Sequence, residues 1–194
     1  MLNWGTSAFV EYTATNYDEI KDFLTKWEID DTFFVDPLYF FKNFIFLGLF
    51  TYFSVTSQKS KRAIAVFSAL GIIFTIVNSI WGETYKEYQS VGSSVDNVYK
   101  IFAGGVILNW IFNSDLNKRL WKISYYWFAM AIIVIGAIAG LIDFLSNYMF
   151  KETSVIFFQV HIVKNFMMII AFIMFTVGIY FIKKKVKLRS EKSK

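Results

Sequence analysis

Cysteine is absent from this 194-residue chain, and histidine and proline occur once each. Without cysteine there is no disulfide, thiolate nucleophile, cysteine-ligated zinc or iron–sulfur cluster. The single histidine, His161, excludes the multi-histidine iron sites of membrane hydroxylases and the paired histidines of an HExxH zinc site. Neither a Walker A loop nor a GxSxG nucleophile elbow occurs. Charge is also scarce. Only 18% of residues are charged, against 56% hydrophobic and 21% aromatic, and the mean hydropathy is +0.44. A soluble domain of this length could not enclose so much apolar surface. The fold class expected is all-α: a polytopic transmembrane helical bundle, with no cofactor.

Five apolar stretches stand out, at residues 38–56, 63–82, 97–113, 123–145 and 155–182. The third is short for a span and contains Lys100. Pro37 precedes the first stretch, where a missing N–H costs nothing. No other proline interrupts the helices. The division expected is an acidic segment over 1–36, a five-helix membrane domain over 37–182 and a basic tail over 183–194. The N-terminus shows no basic region followed by an apolar run and a small-residue cleavage site, so no removable signal peptide is expected.

Basic residues give the orientation. Lys59, Lys61, Arg62, Lys118, Arg119, Lys122 and the tail put 13 Lys/Arg on one side, whereas Lys21, Lys26, Lys86 and Lys151 make four on the other. Cytoplasmic loops carry the excess of Lys and Arg. The N-terminus is therefore expected outside and the C-terminus in the cytoplasm. The net charge of +5 then reflects topology, and no nucleic-acid partner is expected. A bacterial cytoplasmic (inner) membrane suits this pattern and the Phe-, Ile-, Lys- and Asn-rich composition. Trp81, Tyr85, Tyr88, Tyr148 and Tyr39 collect toward the outer edge, and Trp110, Trp121, Tyr125, Tyr126 and Tyr180 toward the inner one, as interfacial belts do.

Residues 1–36 carry eight acidic side chains against Lys21 and Lys26. Asn16 and Glu19 have capping-box spacing, and Ile20, Phe23, Leu24 and Trp27 recur at helical intervals. A short amphipathic helix is expected there, lying on the outer surface or acting as an acidic lid.

The main functional clue is a layer of three lysines. Lys42, Lys100 and Lys164 precede the next basic cluster by 17, 18 and 19 residues, about the thickness of a hydrocarbon core at roughly 1.5 Å per helical residue. Spanning helices would place all three ammonium groups at one depth. On the fifth stretch His161, Lys164, Asn165 and Met168 share a face. Gly136, Gly140 and Asp143 share one on the fourth, where the GxxxG pattern allows close helix packing. Gly71, Thr75, Asn78 and Gly82 form a small, polar stripe on the second. The candidate ligand-binding set is therefore Lys42, Asn43, Asn78, Glu83, Lys100, Asp143, His161, Lys164 and Asn165, with Gly136 and Gly140 packing helices and no metal or catalytic residue assigned. Ionisable groups inside a membrane are expensive, which makes them functional candidates. The plainer alternative treats the lysines as snorkelling interfacial anchors paired with Asp143 and Glu83.

A Lys-Asn-Phe core shared by Phe41–Phe44 and Val163–Phe166 raises the question of an internal repeat, but the segments that follow do not align. The resulting expectation is a small oligomeric channel, transporter-like unit or membrane effector with an outer-half basic site for an anion or anionic headgroup. The alternatives are a non-transporting accessory subunit bound to a membrane-protein partner, and a lipid-modifying enzyme centred on Asp143 and His161. The catalytic inventory leans away from the enzyme.

Overall fold

The structure is a computed structural model that describes residues 12, 15–16, 21–22, 25–26, 35–82, 90–114, 120–152 and 154–192, without the side chains of 144–158, 161 and 184–192. Five long helices follow in order among the described residues: α1 Asp36–Ser54, α2 Gln58–Trp81, α3 Ser90–Phe112, α4 Ser124–Glu152 and α5 Ser154–Lys192. No strand occurs among the described residues.

Among the described residues, three segments are long and apolar enough to cross a membrane: α2, Ser124–Asp143 of α4 and Ile162–Lys183 of α5. Helices α1 and α3 fall outside that set. Lys42 and Asn43 interrupt the first, and Asp96, Asn97 and Lys100 interrupt the second. Of the acidic N-terminal segment, Lys21, Asp22, Thr25 and Lys26 are helical, while Glu19, Ile20, Phe23, Leu24 and Trp27 lie outside the described residues. The Asn16 backbone N–H and side-chain amide both donate to the Tyr12 carbonyl, each at 2.9 Å.

Burial explains where the helices run. In α1, Phe40, Phe44, Gly48 and Thr51 recur every three or four residues and form its buried stripe. The chain leaves α1 through an extended Val55, and the Ser57 hydroxyl caps α2 by accepting from the Ser60 N–H at 3.5 Å. Helix α3 starts at Ser90, about two turns before the expected boundary at 97. Hydropathy hid those turns because they are rich in serine, yet Gly92, Asp96 and Asn97 are buried. Helices α4 and α5 likewise continue past the apolar boundaries at 145 and 182.

The most extensive interfaces join α3 to α4 and α4 to α5, and α1 packs on α2 and α3. Glycines set the α3–α4 approach. A Cβ at Gly104 would stand 2.5 Å from Ile133 Cγ1, and one at Gly136 would stand 2.7 Å from the Asn97 carbonyl oxygen. Phe40, Phe44, Ile64, Tyr99 and Ala103 form one core cluster, and Val55, Ile107, Ile111 and Ala129 a second. The antiparallel course gathers the α1–α2 turn beside the end of α3, where Trp110 Nε1 donates to Thr56 Oγ1 at 2.9 Å. Lys59, Lys61 and Arg62 follow that turn directly.

A half-buried hydroxyl pair ties α2 to α3 across α1. Ser68 Oγ and Tyr99 Oη are 2.6 Å apart, directly over Gly48, whose added Cβ would meet both oxygens. Substituting Tyr99→Phe leaves Ser68 without this partner and is expected to cost about 1 kcal/mol. Equilibrium unfolding in mixed micelles measures it. Unchanged stability would show the pair to be energetically idle.

Candidate functional site

Each of α1, α3, α4 and α5 brings an ionisable or amide side chain into one hydrogen-bonded layer, at the end of the bundle opposite the α1–α2 turn. From α3, Asp96 and Lys100 stand one turn apart and pair at 2.6 Å. Asn43 of α1 donates its amide to the same Asp96 oxygen, Oδ2, at 2.9 Å. Lys164 of α5 meets Asp143 of α4 at 2.6 Å through Oδ1. The other Asp143 oxygen accepts from Ser93 Oγ at 2.6 Å and from Asn97 Nδ2 at 3.1 Å. Asn97 joins the two ion pairs, because its carbonyl oxygen accepts from Lys100 Nζ at 2.9 Å.

The sequence of contacts is therefore Asn43–Asp96–Lys100–Asn97–Asp143–Lys164. Its carboxylates are deeply buried, with Asp96 3% exposed and Asp143 6%, whereas the lysine side chains keep about a fifth of their surface (18% for Lys100, 22% for Lys164). That difference follows from side-chain length. A long aliphatic stem can be buried while the ammonium reaches toward a polar boundary, and a short carboxylate cannot.

Lys42 completes the layer. Its ammonium stands 4.4 Å from the Tyr39 ring centroid, a cation–π distance, and lies within electrostatic range of Asp96 and Lys100. Lysines from α1, α3 and α5 thus meet Asp96 and Asp143 in one layer. The layer also holds one unsatisfied acceptor, since Asp96 Oδ1 is buried without a hydrogen-bond partner. A buried acceptor of this kind carries a desolvation cost of about 1–3 kcal/mol.

Other candidates are placed differently. Asn78 is buried on α2 but stands outside the contacts just given. Asn165 is exposed on α5. His161 belongs to α5, one turn before Lys164, with its side chain outside the described residues, and Glu83 lies outside them altogether. The two Lys-Asn-Phe segments are not used alike: Asn43 grips Asp96 whereas Asn165 is exposed, and Lys42 meets Tyr39 whereas Lys164 meets Asp143.

Asp96, Asn97 and Ser93 were not among the candidates. Their signal is nonetheless present, because Ser93, Asp96, Asn97 and Lys100 sit at i, i+3, i+4 and i+7 on one helical face. Gly136 holds this face close to α4, since an added Cβ would stand 2.9 Å from Lys100 Cβ. Gly140 faces Asn97 Cβ at 3.1 Å. No known protein family, curated protein or solved structure matches the chain.

Proposed function

We propose that this is a five-span protein of a bacterial cytoplasmic membrane, with its N-terminus outside and its C-terminus inside. In it, the ionisable layer forms an outer-half site for an anion or anionic headgroup. The observation that carries this reading is the convergence of Lys42, Lys100 and Lys164, from three helices, on one layer with Asp96 and Asp143. Asp96 and Asp143 then act as resident counter-ions. An arriving oxyanion shares the lysines with the aspartates and does not displace them, because a buried carboxylate stripped of its lysine would cost about 3–5 kcal/mol. A ligand that also bears a hydroxyl, such as hydrogen phosphate, would donate to Asp96 Oδ1 while Lys42 meets its charge. Ionisable chains of this kind mark ion and substrate pathways inside membranes. The working unit is a channel, transporter-like unit or effector, and the shortness of the chain favours a homo-oligomer.

Proteoliposomes loaded with a phosphate- or chloride-sensitive dye test this. Wild type is expected to exceed empty vesicles, and Lys42→Gln to reduce the flux about ten-fold, the effect of roughly 1.4 kcal/mol. Background flux in wild type rejects transport.

One feature favours a non-transporting accessory subunit as the second reading. Helix α5 packs chiefly on α4 and leaves Ile162, Phe166, Ile169, Phe172 and Ile173 uncovered. Such a face suits either lipid or a neighbouring membrane helix. The enzyme reading is weaker, because Asp143 is already engaged by Ser93, Asn97 and Lys164.

A further inference from the structure

An apolar groove of about 320 Å³ runs between α1 and α2 on the basic side of the ionisable layer. Its size lies at the lower end of the roughly 300–1,000 Å³ range of small-ligand sites. Phe44 and Ile64, both essentially fully buried, line it together with Gly48, and exposed Leu49 and Phe53 of α1 flank it. Although Ser68 also lines the groove, its hydroxyl is bonded to Tyr99, so the lining is almost wholly hydrocarbon and aromatic.

Length and charge together identify the occupant. Along α1 the groove extends from Phe44 to Phe53, about 14 Å at roughly 1.5 Å per residue, or about one leaflet of a 30 Å hydrocarbon core. Its basic end is marked by Tyr52, which lines the groove and carries the Lys61 ammonium 5.1 Å from its ring centroid. Lys59 and Arg62 are exposed beside Lys61. These three cations occupy the start of α2, where the helix dipole already favours anions, and the first turn contains no acidic residue. A headgroup phosphate would relieve both sources of excess positive potential. Basic sites between membrane helices on the cytoplasmic side commonly meet anionic lipid.

We propose that the α1–α2 groove binds one acyl chain of an anionic phospholipid whose phosphate rests on Lys61 and its neighbours Lys59 and Arg62. This site is separate from the lysine–aspartate layer and stands whether or not that layer handles an anion.

Native mass spectrometry of protein released from nanodiscs containing equal phosphatidylglycerol and phosphatidylcholine provides the test. Wild type is expected to retain phosphatidylglycerol about five-fold or more over phosphatidylcholine, and Lys61→Gln to lower that preference about five-fold. Ala65→Phe, which fills the groove without changing charge, is expected to remove bound lipid of both kinds. Lys122→Gln, an exposed cation elsewhere in the chain, should leave retention unchanged. Equal retention of the two lipids by wild type overturns the proposal. So does undiminished phosphatidylglycerol on a well-folded Ala65→Phe protein, which would reduce the effect to headgroup adsorption. Lys61→Gln alters no packed core residue and is decisive even if Ala65→Phe fails to fold.

Discussion

Substituting Asp143→Ala is expected to destabilise the bundle by about 3 kcal/mol, whereas Asp143→Leu combined with Lys164→Met should return to within about 1 kcal/mol of wild type. The single substitution strips three donors of their acceptor: Ser93 Oγ at 2.6 Å, Asn97 Nδ2 at 3.1 Å and Lys164 Nζ at 2.6 Å. Neutral interhelical hydrogen bonds in membranes average only about 0.6 kcal/mol, because helices separated within the bilayer find other partners. Removing one member of a buried ion pair costs about 3–5 kcal/mol. The ionic term therefore dominates. The lower end of its range applies, since the Lys164 side chain is 22% exposed and can reach toward the boundary. The double substitution removes both charges and fills their space with hydrocarbon. Reversible unfolding in micelles checks the comparison, and equal destabilisation of single and double variants would refute the ionic explanation. Paired with the flux assay, a stable but inactive double variant separates the layer's role in function from its role in stability.

The second large effect is expected at the α3–α4 contact. Substituting Gly136→Ala should cost about 2–3 kcal/mol, and Gly136→Leu should prevent close packing altogether. An alanine Cβ at 136 would stand 2.7 Å from the Asn97 carbonyl oxygen and 2.9 Å from Lys100 Cβ. The first of these atoms is backbone, so relief requires moving a helix. That movement would pull Asn97 and Lys100 from their partners. Gly140→Ala should be milder, about 1 kcal/mol or less, because its nearest neighbour is a side-chain carbon at 3.1 Å. Gly105→Ala meets nothing within 4 Å and should be neutral or stabilise by up to about 1 kcal/mol through helix propensity. Thermal unfolding of the three alanine variants reads the order directly. Equal loss at 105 and 136 would show that contact geometry does not govern this face.

The lysine layer was legible in the sequence because an ammonium group in an apolar run is conspicuous, and three at one interval are more so. The GxxxG spacing on α4 was legible for a similar reason, since small residues at i and i+4 make one smooth face. Asp96 was not. It lies in a serine-rich segment whose low hydropathy resembles a loop, and the contacts with α1 and α4 that bury it leave no mark on local hydropathy. The role of Asn97 as a bridge depends on the relative rotation of α3 and α4, which no local pattern specifies. The different fates of Asn43 and Asn165 carry the same lesson: identical tripeptides acquire unlike surroundings, with Asn43 bonded to Asp96 of α3 and Asn165 exposed.

Helix α5 has 39 residues and so extends about 58 Å, nearly twice the roughly 30 Å of hydrocarbon it could traverse. Lys164, paired with Asp143, lies about 15 Å from its first residue. About 42 Å separates Lys164 from the last helical turn at Lys192. The segment apolar enough to cross, Ile162–Lys183, accounts for about 33 Å of this length, so the nine residues Lys184–Lys192 continue the same helix beyond it as a stalk for the basic tail.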